Sequence, residues 1–270
     1  MKMNFRLFAV TVTLLCASLA GCFGDDDSDS DEYDGPIDLL VYYDTTAGMI
    51  EESYNNGQSG PKTGVELSFD FADTTSDDGS ITKIMIDPDD GSDPVEGDPA
   101  DNAVLSYTWM THGVFTVTLS AEDEEGNSHS IMVKVKIDLH IVWTESSTTS
   151  STMNFDATPD CEDGDPLPDR ITLSSTADNP SAPWAPGGSS DVTWTLTNPS
   201  EETVGESSGT IGAGAAETWD FTTRDTVEGV WAINVEVSQE GTNTDPVSVS
   251  NDVTIAYAEG AEDSTNPRQE

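Results

Sequence analysis

Four aspartates crowd one short segment, Ile86-Asp87-Pro88-Asp89-Asp90-Gly91-Ser92-Asp93. Carboxylates supplied by a loop are the ligands calcium favours. Asp87, Asp89, Asp90 and Asp93 are therefore the candidate metal ligands of this chain, for a calcium site of the low-affinity, millimolar kind found in extracellular modules. The spacing is not that of an EF-hand, which would need an acid or amide at 91 and glycine at 92. Acidic loops also occupy 73–79 and 122–127, and a chain with 52 Asp and Glu forms such clusters by composition alone.

Other chemistry finds less support. Gly205-Glu206-Ser207-Ser208-Gly209 matches the nucleophile elbow G-x-S-x-G, which needs a strand-to-helix turn and a histidine later in the chain. The segment reads instead as a Gly/Ser turn in a β module, and His112, His129 and His140 all precede it. Those histidines are scattered and read as surface or boundary residues, not as a zinc or copper set. Cys161 lies in the acidic DCEDGDP, where the neighbouring carboxylates disfavour a reactive thiolate. No HExxH, P-loop or dinucleotide fingerprint occurs, and the chain is expected to be non-enzymatic.

The charge balance narrows the partners. Nine Lys and Arg stand against 52 acids, a formal net charge of −43 over 270 residues. Such a surface repels nucleic acid and anionic head groups, and it stays soluble in strong salt, where its self-repulsion is screened.

The elements that must carry these residues are strands. Phe115, Val117, Leu119 and Ala121 alternate with Thr116, Thr118 and Ser120; Ile131, Val133, Val135 and Ile137 alternate with Met132, Lys134 and Lys136. The intervening Glu122 to Asn127 carries a Gly-Asn turn signal, so the two runs predict a hairpin. Val192, Trp194 and Leu196 show the same two-residue period, as do Trp231 to Val237 and Val247 to Tyr257. No window has a sustained helical period. The fold class is all-β, with antiparallel sandwiches.

HGVFTVTLSA at 112–121 and EGVWAINVEV at 228–237 share one pattern, which predicts two similar modules in tandem. The boundary falls near Asp138, with little or no linker, because KVKIDLHIVW runs on as strand.

Residues 1–22 have the charged start, apolar centre and small-residue end of a secretory signal. Leu19-Ala20-Gly21-Cys22 resembles the lipobox of prokaryotic lipoproteins, which implies cleavage and lipidation at Cys22. The acids of 23–36 repel one another and bury nothing, so they predict a disordered tether. The organisation expected is a signal over 1–22, a tether over 23–36, modules over 37–138 and 139–258, and a disordered tail over 259–270.

The first module resembles the PKD domains, Ig-like units of many surface proteins. The resemblance rests on Phe69-Asp70, Asp77-Asp78-Gly79-Ser80-Ile81, Ile86-Asp87-Pro88-Asp89-Asp90-Gly91 and Gly113-Val114-Phe115-Thr116-Val117-Thr118-Leu119. Ile86 stands where the family's tryptophan lies, and Pro88-Asp89 replaces Phe-Gly. The second module, with Pro186-Gly187-Gly188, Asn198-Pro199 and Gly212-Ala213-Gly214 before Trp219, is similar to CARDB-type modules.

These resemblances imply a membrane-anchored lipoprotein on the extracytoplasmic face, acting in adhesion, binding or scaffolding toward envelope proteins or glycans. The alternative is a glycan-binding or solute-binding accessory, with a hydrolase further off. Tyr107 and Trp184, off the clearest core parity, are the candidate glycan platforms, and burial of both rings would remove that support.

Overall fold

The computed structural model describes residues 33–161, 166–180, 188–238 and 246–258. The signal segment with Cys22, most of the tether, Trp184 and the 259–270 tail lie outside the described residues. The chain divides into two compact units, Met1–Asp34 and Gly35–Glu270, and all that follows concerns the second.

The described residues are strands, turns and bends, without a helix. The first ten strands are β1 (Ile37–Asp38), β2 (Ala47–Asn55), β3 (Gln58–Thr63), β4 (Val65–Asp70), β5 (Thr75–Ser76), β6 (Ile81–Asp87), β7 (Val95–Gly97), β8 (Val104–Trp109), β9 (Gly113–Asp123) and β10 (Ser128–Thr148). There follow β11 (Ser150–Asp156), β12 (Arg170–Asn179), β13 (Ser190–Thr197), β14 (Thr203–Ile211), β15 (Ala215–Thr223), β16 (Val230–Ser238) and β17 (Val247–Ala256). The protein is an all-β sandwich.

The hairpin expected around 122–127 is β9–β10, with Leu119 opposite Ile131 and Val117 opposite Val133. Its alternation is met in three dimensions: Val117, Leu119, Val133 and Val135 are fully buried, while Met132 is 67% exposed. β2 and β3 form a second hairpin. Asn56 and Gly57 both take positive φ there, 48° and 73°, the handedness that matches the twist of the flanking strands.

β10 organises the molecule. Lys136 pairs with both Val114 of β9 and Ala47 of β2, and Leu139 pairs with both Ile255 of β17 and Ile50 of β2. A strand has two edges, so β2 lies parallel along one edge, while β9 and β17 follow one another along the opposite edge. They meet at a seam beside Asp138, which β2 spans as a splint from Ala47 to Asn55. One hydrogen-bonded sheet, β15-β12-β17-β10-β9-β6-β7 with β2 and β3 attached, thus contains strands from both sides of residue 138.

Smaller sheets close the two ends. On the first side β4 and β8 bring Leu67, Phe69 and Trp109 into a core with Ile84, Ile86 and Phe115. The central aromatic is Trp109, not residue 86. Its indole donates to the Pro88 carbonyl at 3.2 Å and lies edge-on to Tyr107, with ring centroids 4.8 Å apart. On the second side β11-β16-β13-β14 adds Met153, Trp194, Trp231 and Ile233 to a core with Leu173, Val249 and Val253.

Candidate functional site

The seam shapes an open cleft of about 480 Å³ between the splint, β10 and β11 with the residues that follow it. Parallel pairing sets Glu52 beside Ile141 and Tyr54 beside Trp143, so both β2 side chains share the inward face of β10. The Tyr54 and Trp143 rings stack with centroids 5.0 Å apart and planes 27° from parallel. Across the β2–β3 hairpin, Lys62 Nζ lies 2.7 Å from Glu52 Oε1. The Tyr54 hydroxyl donates to Glu52 Oε2 at 3.1 Å. Partial burial and this carboxylate together raise the Tyr54 phenol above its ordinary pKa.

Leu139, Ile141 and Phe155 give the cleft an apolar wall, and Asn154, Asp156 and Asp160 line its other side. Its charges are Glu52, Asp156 and Asp160 against Lys62, so an anion is repelled both locally and by the chain as a whole. Apolar wall, aromatic ring, amide and carboxylates in one concave site suit a neutral or cationic ligand with hydroxyl or amine donors.

His112 lines the cleft at the seam. It is buried, and its Nδ1 lies 2.7 Å from the Tyr257 hydroxyl. Its carbonyl accepts the Asp160 N–H at 3.2 Å. Tyr257 in turn donates its own N–H to Asp138 Oδ1 at 2.9 Å. Burial lowers the His112 pKa, outweighing the bond to the Asp156 backbone, so the ring is neutral at pH 7. With both faces of its chemistry committed to Tyr257 and Asp156, the ring fastens the seam. The expectation of a surface or boundary histidine is corrected here: Tyr257 covers it from 145 positions away.

The other sequence-selected residues are placed as follows. Asp87 ends β6 and Asp89, Asp90 and Asp93 lie in the turn that follows, but each carboxylate described by a bond serves the protein itself. Asp87 Oδ1 accepts the Asp89 N–H at 3.3 Å, and Asp89, buried at φ 61°, accepts the Thr116 N–H at 2.7 Å. Asp90 takes the Tyr107 hydroxyl at 2.6 Å and the Ser92 N–H at 3.1 Å, while Asp93 is exposed. Among the described residues no group of three or more His, Cys, Asp or Glu is placed to hold a metal ion.

Ser207 lies within β14, opposite Trp194. The Gly/Ser segment is therefore strand rather than the turn expected, and it lacks the geometry of an elbow. Tyr107 is half-buried with its hydroxyl bound to Asp90 and Ser92, so its ring is not an open platform. Tyr54, Lys62, Trp143 and His140 escaped selection. Their roles depend on pairings across scores of residues, and only the Asn56-Gly57 turn signal marks the hairpin that brings Lys62 to Glu52.

Residues 55–137 match the PKD domain family model. The PKD match starts at the end of β2, takes in Trp109 and the β9–β10 hairpin, and stops one residue before the seam. No curated protein matches the chain. Among solved structures, one of carbohydrate-binding modules from the β-sandwich superfamily is 14% identical, with 83% of this chain and 98% of that one covered and a TM-score of 0.30. A Clostridium perfringens ZmpB structure, CBM51-2 in complex with GlcNAc together with INT domains, is 11% identical over 81% of this chain and 49% of that one, with a TM-score of 0.28. A pilus protein of Bacillus endospore appendages is 13% identical over 45% and 86%, with a TM-score of 0.22.

Proposed function

We propose that this chain is a non-enzymatic binding protein of the cell surface, held at the extracytoplasmic face by lipid on Cys22. The PKD match over 55–137 supports a binding or adhesion role, and the signal with its Leu-Ala-Gly-Cys end supports the anchor. The observation that carries the reading is the seam cleft, where Tyr54, the Glu52–Lys62 pair and an apolar wall converge beside a rigid shared strand. Its ligand is a neutral, hydroxyl-rich group such as a glycan or a polar segment of an envelope protein.

The test is titration of the purified protein with neutral oligosaccharides and with solubilised envelope fractions, alongside Glu52→Gln and Lys62→Met. Loss of a charged hydrogen bond weakens binding by about tenfold or more in either variant. Binding untouched by both variants would move the site elsewhere. Turnover of ester, peptide or glycoside substrates would replace the reading with an enzyme. The anchor is tested separately: Cys22→Ser should shift the protein from the membrane fraction to the medium.

A further inference from the structure

On the outward face of β10, opposite the cleft, His140 stands between two carboxylates on two different strands. Its Nδ1 lies 2.5 Å from Glu51 Oε2 on β2, and its Nε2 lies 3.0 Å from Asp252 Oδ1 on β17. Ionised carboxylates only accept hydrogen bonds, so both contacts are satisfied only when both ring nitrogens carry protons. The geometry defines an imidazolium. It is not a metal site either, because the two carboxylates address opposite nitrogens and cannot converge on one ion.

We propose that His140 is a proton-operated lock on the seam: charged, it holds the splint β2 and the strand β17 to β10, and on deprotonation it loosens them. The position of the residue gives this its force. His140 sits two places beyond Asp138, where the pairing of β10 with β9 has stopped and its pairing with β17 has taken over, so the three strands it joins are those that carry the sheet from one side to the other. Loss of one proton leaves a bare nitrogen lone pair facing a carboxylate. That turns an attraction into a repulsion on one side of the ring.

The charges around it do not compete strongly for the role. Along β10 the neighbours on this face are Asp138 and Lys136, 3.9 Å apart. Opposite Glu51 β3 presents Thr63, and beyond β17 β12 presents Thr172 and Ser174. Asp220 of β15 is bonded to Ser174. Partial burial alone would lower the His140 pKa, but the bonds to Glu51 and Asp252 outweigh it and hold the pKa above its ordinary value. A base whose folded pKa is raised stabilises fully below its unfolded value, about 6.5, and the stabilisation is lost as pH rises through the folded value. The lock is closed in mild acid and opens toward alkaline pH. This inference stands on the clamp alone and is independent of what the cleft binds.

The experiment is an NMR titration of the His140 ring in the purified protein, with amide exchange of β2 and β17 followed over the same pH range. Rates are corrected for intrinsic exchange, with core amides of β9 as the internal standard. The expected result is a ring pKa above 6.5 and a fall in protection of Glu51, Ser53 and Thr254 amides through that pKa. The fall is about tenfold for each unit by which the pKa is displaced. His140→Gln should show low protection throughout, without the step. Glu51→Gln with Asp252→Asn removes the groups that raise the ring pKa and leaves its burial, so the pKa should fall below its ordinary value. A ring titrating at or below 6.5, protection flat across the range, or a step that persists in His140→Gln would each overturn the proposal.

Discussion

His112 Nδ1 and the Tyr257 hydroxyl, 2.7 Å apart, fasten the start of β9 to the end of β17 where those strands meet beside β10. Residues 145 positions apart in sequence thus close the seam that Asp138 reinforces from β10.

Tyr257→Phe leaves a buried ring nitrogen without its partner, and the expected loss is about 1–3 kcal/mol in a urea melt. The histidine adds a pH signature. Burial holds its pKa down, so the unfolded chain takes up a proton more readily than the folded one. Stability should fall as pH drops from about 6.5 through the folded value. In His112→Gln that acid-side slope should shrink. The sign is opposite to that of His140, so the two histidines bound a stability optimum from its two sides.

Trp109 anchors the first core, fully buried against Tyr107 and Phe115 with its N–H on the Pro88 carbonyl. Trp109→Ala should cost about 3–5 kcal/mol. Trp109→Phe should cost less but still lower the melting temperature, since it leaves the Pro88 carbonyl without that donor. Equal melting temperatures for Trp109→Phe and the parent would show that the bond contributes nothing.

Asp123 gathers four donors at the β9–β10 turn. Oδ1 accepts from the Glu125 and Asn127 N–H groups, and Oδ2 accepts from the Asn127 amide and the Ser76 hydroxyl at 2.7 Å. The Asn127 side chain is the main cause of a pKa below the ordinary aspartate value. Its contribution is present above that value and is lost as pH falls through the folded one. Asp123→Asn puts a donor where donors already converge. The expected outcome is a lower melting temperature at neutral pH and faster exchange at Glu125 and Asn127, with a smaller difference from the parent in strong acid.

Local periodicity carried most of the fold into view. Phe115, Val117 and Leu119, or Val192, Trp194 and Leu196, announce buried faces because a strand repeats every two residues whatever it pairs with. KVKIDLHIVW likewise betrays a strand that runs through residue 138. The partner of that strand does not show, since Ala47–Asn55 carries a mixed pattern with Ile50 alone deeply buried. Its parallel pairing with β10 depends on a contact some ninety residues away. The site is less legible for the same reason: Glu52, Tyr54, Lys62 and His112 come to line one cleft only once β2 has crossed the seam. In the aspartate cluster the residues are legible but their hydrogen-bond partners are not. Asp87, Asp89 and Asp90 accept from Thr116, Tyr107 and the backbone of their own turn.

β10 extends over 21 residues, roughly 65 Å at about 3.3 Å per residue. Ile37, where the chain enters the folded unit, is bonded through its carbonyl to His129 at the start of that strand. A pull between this point and the far turn at Thr148 therefore runs along the strand axis. Hydrogen bonds to β9, β2 and β17 lie across that axis, so any load that slides β10 along it against its neighbours meets them together in shear instead of one after another. The strand is a tensile member, and a load that displaces it is shared along its length by the paired strands on both edges.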